Sequence, residues 1–328
     1  MRKNPYYSGP PSDHFDGTAF FNPQGVPPGN VSDLLKWRFA NKPDPWPKQW
    51  PSPHHGFKPP LKGTDDRITL TMIGHATMLL QVAGQNIITD PVYSKRVSPL
   101  SFAGPARVNP PGVEFDALPR INTVLVSHNH YDHMDIATLR KLVERDNPLV
   151  VTPLGNDTIL SRAGISARTI IGDWGDAHDI ASDIKVHFEP AHHWSARGIR
   201  DRRMALWAAF VIDTPLGRIY HVGDTGFHEG RNFRTAGEKH GGFRLAILPV
   251  GAYEPRWFMK GQHMNPEEAV LGMKLCGAEY AAGHHWGTFR LTDEAITAPA
   301  KDLARACEKH HVAADRFRPL LPGEQMIV

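Results

Sequence analysis

Nine consecutive residues constrain this chain more than any others: Ser127, His128, Asn129, His130, Tyr131, Asp132, His133, Met134 and Asp135. They follow a short β-branched run at 123–126 that reads as a buried strand. They precede residues 135–145, where Ile136, Leu139 and Leu142 share one helical face. His128, His130 and Asp132 recur at every second position, so an extended backbone would point all three the same way. His133 turns the corner into the helix. Neutral imidazoles and carboxylates are what Zn²⁺ takes when thiolates are absent. These four donors lie too close along the chain to wrap one tetrahedron, so their spacing predicts two adjacent ions.

Further donors are expected from distant strand ends. His192, His193 and Trp194 follow an apolar run at 184–188. Gly223, Asp224, Thr225 and Gly226 follow 218–222, and Gly283, His284, His285, Trp286 and Gly287 follow 278–282. Each group sits where a strand gives way to a turn, and strand ends along one edge are where α/β architectures place their sites. The chain holds 19 histidines, and many fall in such groups.

Residues 1–65 read as a Pro- and aromatic-rich arm packed on a main domain at 66–328. Pro43, Pro45, Pro47, Pro51 and Pro53 break helices and central strands there. Trp46 and Trp50 argue against a disordered linker, and one short helix is expected near 32–39. Strands are expected at 68–73, 77–82, 86–89, 123–126, 149–152, 169–171, 184–188, 206–212, 218–222 and 245–250. Helices are expected at 135–145, 266–275 and 293–309, with Asn265 and Thr292 as N-caps and Pro266 in the first helical position. Strands and helices mix without strict alternation, which predicts an α/β fold of two mixed sheets with helices outside.

A net charge of +3 suits an anionic substrate and is too weak to imply nucleic acid as a partner. Cys276 and Cys307 form no pair with metal or redox spacing and read as free thiols, which fits a reducing cytoplasm. Residues 1–11 are polar and carry no apolar stretch, so no secretory signal is expected. No run has the length of a transmembrane helix. A cytoplasmic location is expected, with peripheral contact with a membrane allowed.

The run from His128 to His133 resembles the HxHxDH signature of the metallo-β-lactamase superfamily, and His193, Asp224 and His285 follow in the family's order. The resemblance implies an αββα sandwich with two metals at one edge of the sheets. A narrower resemblance, over about 67–290, is to the N-acyl-phosphatidylethanolamine-hydrolysing phospholipase D branch. It rests on Gly74-His75-Ala76-Thr77, Asp90-Pro91-Val92, Ser98-Pro99, Gly104-Pro105, His193-Trp194, Gly223-Asp224-Thr225-Gly226, His263 before Pro266-Glu267-Glu268-Ala269, and His285-Trp286-Gly287-Thr288-Phe289.

That resemblance implies roles. His128, His130 and His193 would hold one ion, Asp132, His133 and His285 the other, and Asp224 would bridge them. Two Zn²⁺ are expected, and iron or manganese suits the same donors. A shared hydroxide would attack phosphorus, with Asp132 and Asp224 at the reacting centre and His263 near the substrate phosphate. Arg197 and Arg200, in a basic run with Arg202 and Arg203, are candidate contacts to an anionic head group. His75 would either support a ligand by a hydrogen bond or sit satisfied in a tight turn. Trp174, Trp194, Trp257 and Phe258 are candidates for an apolar groove.

The expected function is therefore a zinc-dependent phosphodiesterase of phospholipase D type, releasing an N-acylethanolamine and phosphatidic acid. The alternative is a metal-dependent hydrolase of a small soluble ester, lactone or phosphodiester. A non-catalytic metal-binding protein is a third reading, disfavoured by the complete donor set. Expected partners are a phospholipid or small phosphodiester, with a homodimer allowed.

Overall fold

A computed structural model describes residues 3–40 and 42–328. The first half of the chain supplies β1 (Thr69–Gly74), β2 (Thr77–Val82), β3 (Gln85–Thr89), β4 (Thr123–Leu125), β5 (Leu149–Pro153) and β6 (Arg168–Gly172). The second supplies β7 (Ala177–Ala181), β8 (Ile184–Glu189), β9 (Ala209–Asp213), β10 (Ile219–His221), β11 (Phe243–Pro249), β12 (Ala278–His284), β13 (Phe317–Pro319) and β14 (Gln325–Ile327). They pair as two seven-stranded sheets, ordered β14-β1-β2-β3-β4-β5-β6 and β13-β12-β11-β10-β9-β8-β7. In the first sheet β14 through β3 pair antiparallel and β3 through β6 parallel. In the second, β7 through β10 pair antiparallel and β10 through β13 parallel.

The helices are α1 (Val31–Ala40), α2 (Ile136–Asp146), α3 (Asn156–Arg162), α4 (Arg231–His240), α5 (Arg256–Met259), α6 (Pro266–Leu275) and α7 (Ala298–Lys309). Strand side chains alternate between faces, and here both faces are covered. Leu70, Met72, Leu80 and Ile87 meet Phe188, Phe210, Ile212 and Leu245 between the sheets. The intervening Ile73, Leu79, Ile88 and Val124 pack on Leu139 and Leu142 of α2 and Leu160 of α3. On the opposite outer face Tyr220 and Leu248 pack on Phe233 of α4, Val270 and Met273 of α6 and Leu303 of α7. Burying each such side chain contributes about 1.5–3 kcal/mol. The layers run helix, sheet, sheet, helix, which is the anticipated αββα sandwich.

The arm lies against this sandwich at several points. Asn4 donates to the Met204 carbonyl, His14 reaches Asp173, Asn22 donates to the His193 carbonyl, and Trp37 donates to Asp293. Among the described residues no helix is long and apolar enough to cross a membrane.

Two local expectations are corrected. The helix expected at 293–309 begins only at Ala298, and Thr292 is not its N-cap. Buried Glu294 accepts from the Ala252 and Glu254 amides and from the Thr292 hydroxyl, which holds this segment out of a helix. The ligand-rich segment is also not extended through Asp132. The His133 and Met134 amides both return to the His130 carbonyl, closing a turn.

Candidate metal centre

The parallel strands carry their C-terminal ends to one edge of the sandwich, and the donors collect there. β4 leads into His128 and His130, the turn presents Asp132 and His133, and β8, β10 and β12 end just before His193, Asp224 and His285. The turn that defeats the every-second-residue pattern is what divides the donors in two. One ligating atom from each of His128, His130 and His193 forms one group, and one from each of His75, Asp132, His133 and His285 a second; in each group these atoms lie within 4.8 Å of one another. Asp224 Oδ2 lies between them, 3.2 Å from His133 Nε2, 3.1 Å from His285 Nε2, 3.7 Å from His193 Nε2 and 4.0 Å from His128 Nε2.

The residues present fit bound cations. His130 Nδ1 stands 2.9 Å from His128 Nε2 and 3.2 Å from His193 Nε2. A tetrahedral ion with bonds of about 2.0 Å to nitrogen spaces its ligands by roughly 3.3 Å. Outer nitrogens are committed elsewhere. His193 Nδ1 donates to the Gln262 carbonyl at 3.1 Å, and His133 Nδ1 donates to Asp90 at 2.9 Å. Both rings therefore turn Nε2 inward, the usual support for a metal ligand. Asp224 Oδ1 and the Nε2 atoms of His133 and His285 are buried without hydrogen-bond partners, which an ion would remedy.

The electrostatics agree. Burial drives His128 and His193 well below the ordinary imidazole value, and His130 to about 4. Burial opposes protonation of His133 and His285 too, but Asp224 overrides it and raises both, His285 to about 9. Burial would raise Asp132 and Asp224, yet His133 and then His285 hold both carboxyls far below the usual range. These buried carboxylates demand positive charge.

Other candidates divide. His263 opens onto the centre, with Nδ1 4.0 Å from Asp224 Oδ2, and burial lowers it to about 4. His75 Nε2 lies 3.0 Å from Asp132 Oδ2, and its carbonyl accepts from the His285 amide, so it braces two donors. Arg197 does not reach the groove above the centre. Its guanidinium donates to the Asn129 and Met134 carbonyls at 2.9 and 2.8 Å and lies 4.0 Å from the Tyr131 ring, which clamps the ligand loop from behind. Arg200 is exposed and outside the lining, whereas Arg202 lines the groove. Trp194 and Phe258 line it as expected. Trp174 instead stacks on His14, and Trp257 sits on the surface under Lys36.

The sequence places Asp90 in the Asp90-Pro91-Val92 motif but assigns it no role. It ends the β3 region and accepts from the Ser127 amide, the Ser127 hydroxyl and His133. The signal was available, since Asp90, like Asp224, lies just beyond the end of a strand. The groove itself holds 440 Å³ and runs from His130, Asp132, Asp224, His263 and His285 out between Trp194, Ile199, Phe258, Met259, Leu34 and Trp37. Its outer wall thus comes from the arm.

A family profile described as "Beta-lactamase superfamily domain" matches residues 85–286. The chain belongs to the metallo-β-lactamase superfamily. It is a metal-dependent hydrolase of that superfamily. It is 40% identical over 228 residues to the Caenorhabditis elegans N-acyl-phosphatidylethanolamine-hydrolyzing phospholipase D 1, covering 67% of this chain and 64% of the worm enzyme. It is 37% identical over 269 residues to an uncharacterized protein of Mycobacterium tuberculosis, covering 81% and 70%. Among solved structures, Igni18, a metallo hydrolase from Ignicoccus hospitalis, superposes with a TM-score of 0.59 at 22% identity, over 80% of this chain and 98% of that one. That likeness concerns the fold.

Proposed function

We propose that this metallo-hydrolase is a phosphodiesterase of phospholipase D type that cleaves an N-acyl phosphatidylethanolamine to an N-acylethanolamine and phosphatidic acid. The observation that carries the reading is the apolar groove, which ends on the His and Asp cluster. A small polar substrate has no use for walls of Leu34, Trp37, Ile199, Phe258 and Met259. The likeness to the worm phospholipase supports the same reading.

His128, His130 and His193 would hold one zinc, Asp132, His133 and His285 a second, with Asp224 shared. Bound there, the ions would make water nucleophilic near neutral pH and offset charge on the phosphoryl oxygens. The chain does the rest. Asp90 and the Gln262 carbonyl fix the ring orientations of His133 and His193. His263, a neutral imidazole at the open side of the centre, would donate a hydrogen bond to a phosphoryl oxygen or to the leaving group. The apolar walls exclude water from the scissile bond. Ile199, 93% exposed on the groove wall, suits approach to a lipid surface.

The test is metal content with turnover of an N-acyl phosphatidylethanolamine in micelles and of a soluble chromogenic phosphodiester. We expect about two zinc per chain and lipid cleavage, loss of cleavage and of one zinc in Asp132→Ala, and slow turnover with retained metal in His263→Ala. Activity on the soluble ester alone would sink the lipid assignment.

A further inference from the structure

A second cleft, of 740 Å³, adjoins the groove along α1. It is bounded by Leu34, Trp37, Phe39, Pro43, Pro105 and Leu291, and no residue of the His and Asp cluster reaches it. The two cavities share Leu34, Trp37, Leu291 and Thr292. The partition between them is fixed, because Trp37 donates to Asp293 at 2.9 Å and stacks on Phe258 at 5.1 Å. Phe39, 84% exposed, stands at the outer lip, and Leu34, 47% exposed, tops the shared ridge. Large apolar groups left this open around a trough mark a place where apolar matter is received.

Polar groups distinguish the two cavities. Gln262, 6% exposed, lines the first groove, and its Oε1 is buried with no partner while its Nε2 donates to the Val26 carbonyl. An unsatisfied buried acceptor calls for a donor. The second cleft has exposed Arg290 at its edge, which offers only donors. An amide-linked acyl chain brings an N–H, whereas ester-linked chains bring carbonyl oxygens alone. We propose that the substrate straddles the Leu34 and Trp37 ridge: the N-acyl chain takes the groove beside Gln262, and a glycerol-linked acyl chain crosses that ridge into the second cleft beside Arg290. This rests on the phospholipase reading above, and it makes the arm a determinant of which lipids are cleaved.

The test uses the full chain with two photoreactive N-acyl phosphatidylethanolamines in detergent micelles. One carries a terminal diazirine on the N-acyl chain, the other on a glycerol-linked chain. The first should label peptides holding Trp194, Ile199 or Met259, and the second those holding Phe39, Pro43 or Pro105. In parallel, Phe39→Glu and Pro105→Glu should raise KM for the three-chain lipid roughly tenfold at unchanged kcat. Neither should alter turnover of glycerophospho-N-acylethanolamine, which lacks glycerol-linked chains. Both labels on the groove, or equal effects on both substrates, overturns the straddling arrangement and leaves a phospholipase that uses one groove. A wild type that cleaves neither substrate while the labels still separate overturns the phospholipase reading and leaves the two-chain site.

Discussion

Three residues at the centre sit with positive φ although none is glycine: His75 at 57°, Asp90 at 37° and His285 at 65°. Such conformations cost of order 1–3 kcal/mol each and persist where the surroundings dictate them. Here each strained residue touches a candidate ligand, so the strain aims donors. Asp90 shows the logic most plainly. One oxygen accepts from the Ser127 amide, the other from the Ser127 hydroxyl and His133 Nδ1. In Asp90→Asn one of these sites must present an NH₂, and a donor then faces a donor. His133 would shift its proton to Nε2, the nitrogen that faces the cluster. We expect metal affinity to fall roughly 10–100-fold with the fold retained, read by competition against a chromophoric chelator. Unchanged affinity would remove Asp90 from the account. Arg197 acts from behind the same loop. Arg197→Met strands the Asn129 and Met134 carbonyls and loses the Tyr131 stack, and should cost about 2–3 kcal/mol in denaturant unfolding.

At the scale of elements, α6 shows how local chemistry sets the geometry of the site. Asn265 accepts from the Glu268 amide at 2.8 Å, and Glu268 returns a carboxylate to the Asn265 amide at 3.0 Å. Glu268 also holds Arg256, whose guanidinium donates to the His263 carbonyl. Asn265→Ala should therefore cost about 1 kcal/mol of stability and also raise KM through His263. An activity unchanged at that stability loss would separate the cap from the site. The elements legible in the sequence were those with complete local signals. β2 at Thr77–Val82 and α6 at Pro266–Leu275 have the anticipated bounds, and the donors at 128–133, 193, 224 and 285 all announce themselves at strand ends. The elements that were missed lack such signals. β7 is a partly polar edge strand, Ala-His-Asp-Ile-Ala, and β13 and β14 have three residues each. α4 buries only Phe233, Ala236 and His240, and a histidine in that stripe hides the period. The role of Arg197 was illegible because its partners are backbone carbonyls, which carry no mark in a sequence.

For the whole molecule, the question is what keeps the arm against the sandwich, since α1 forms the outer wall of the groove. His14 is one fastening. It is buried, its ring stacks 4.5 Å from Trp174, and its two nitrogens lie 2.6 Å from Asp13 and 2.7 Å from Asp173. Burial alone would lower its pKa, but the hydrogen bonds to Asp173 and Asp13 prevail and raise it above 6.5. A group whose folded pKa exceeds its unfolded one contributes fully below the unfolded value, and loses that contribution as pH climbs through the folded value. The fastening should thus hold below about pH 6.5 and weaken in the window above it. In His14→Gln no proton is gained, so wild type should exceed the variant in resistance of the arm to protease at about pH 6, and the two should converge as pH climbs through the folded value. Because the arm carries Leu34 and Trp37, turnover of a long-chain lipid should decline over the same window while turnover of a soluble diester follows only the chemistry of the centre. A difference between wild type and His14→Gln that stays constant across that range would mean that the ion pair with Asp173 contributes nothing to docking, and that the arm is held by Asn4, Asn22 and Trp37 instead.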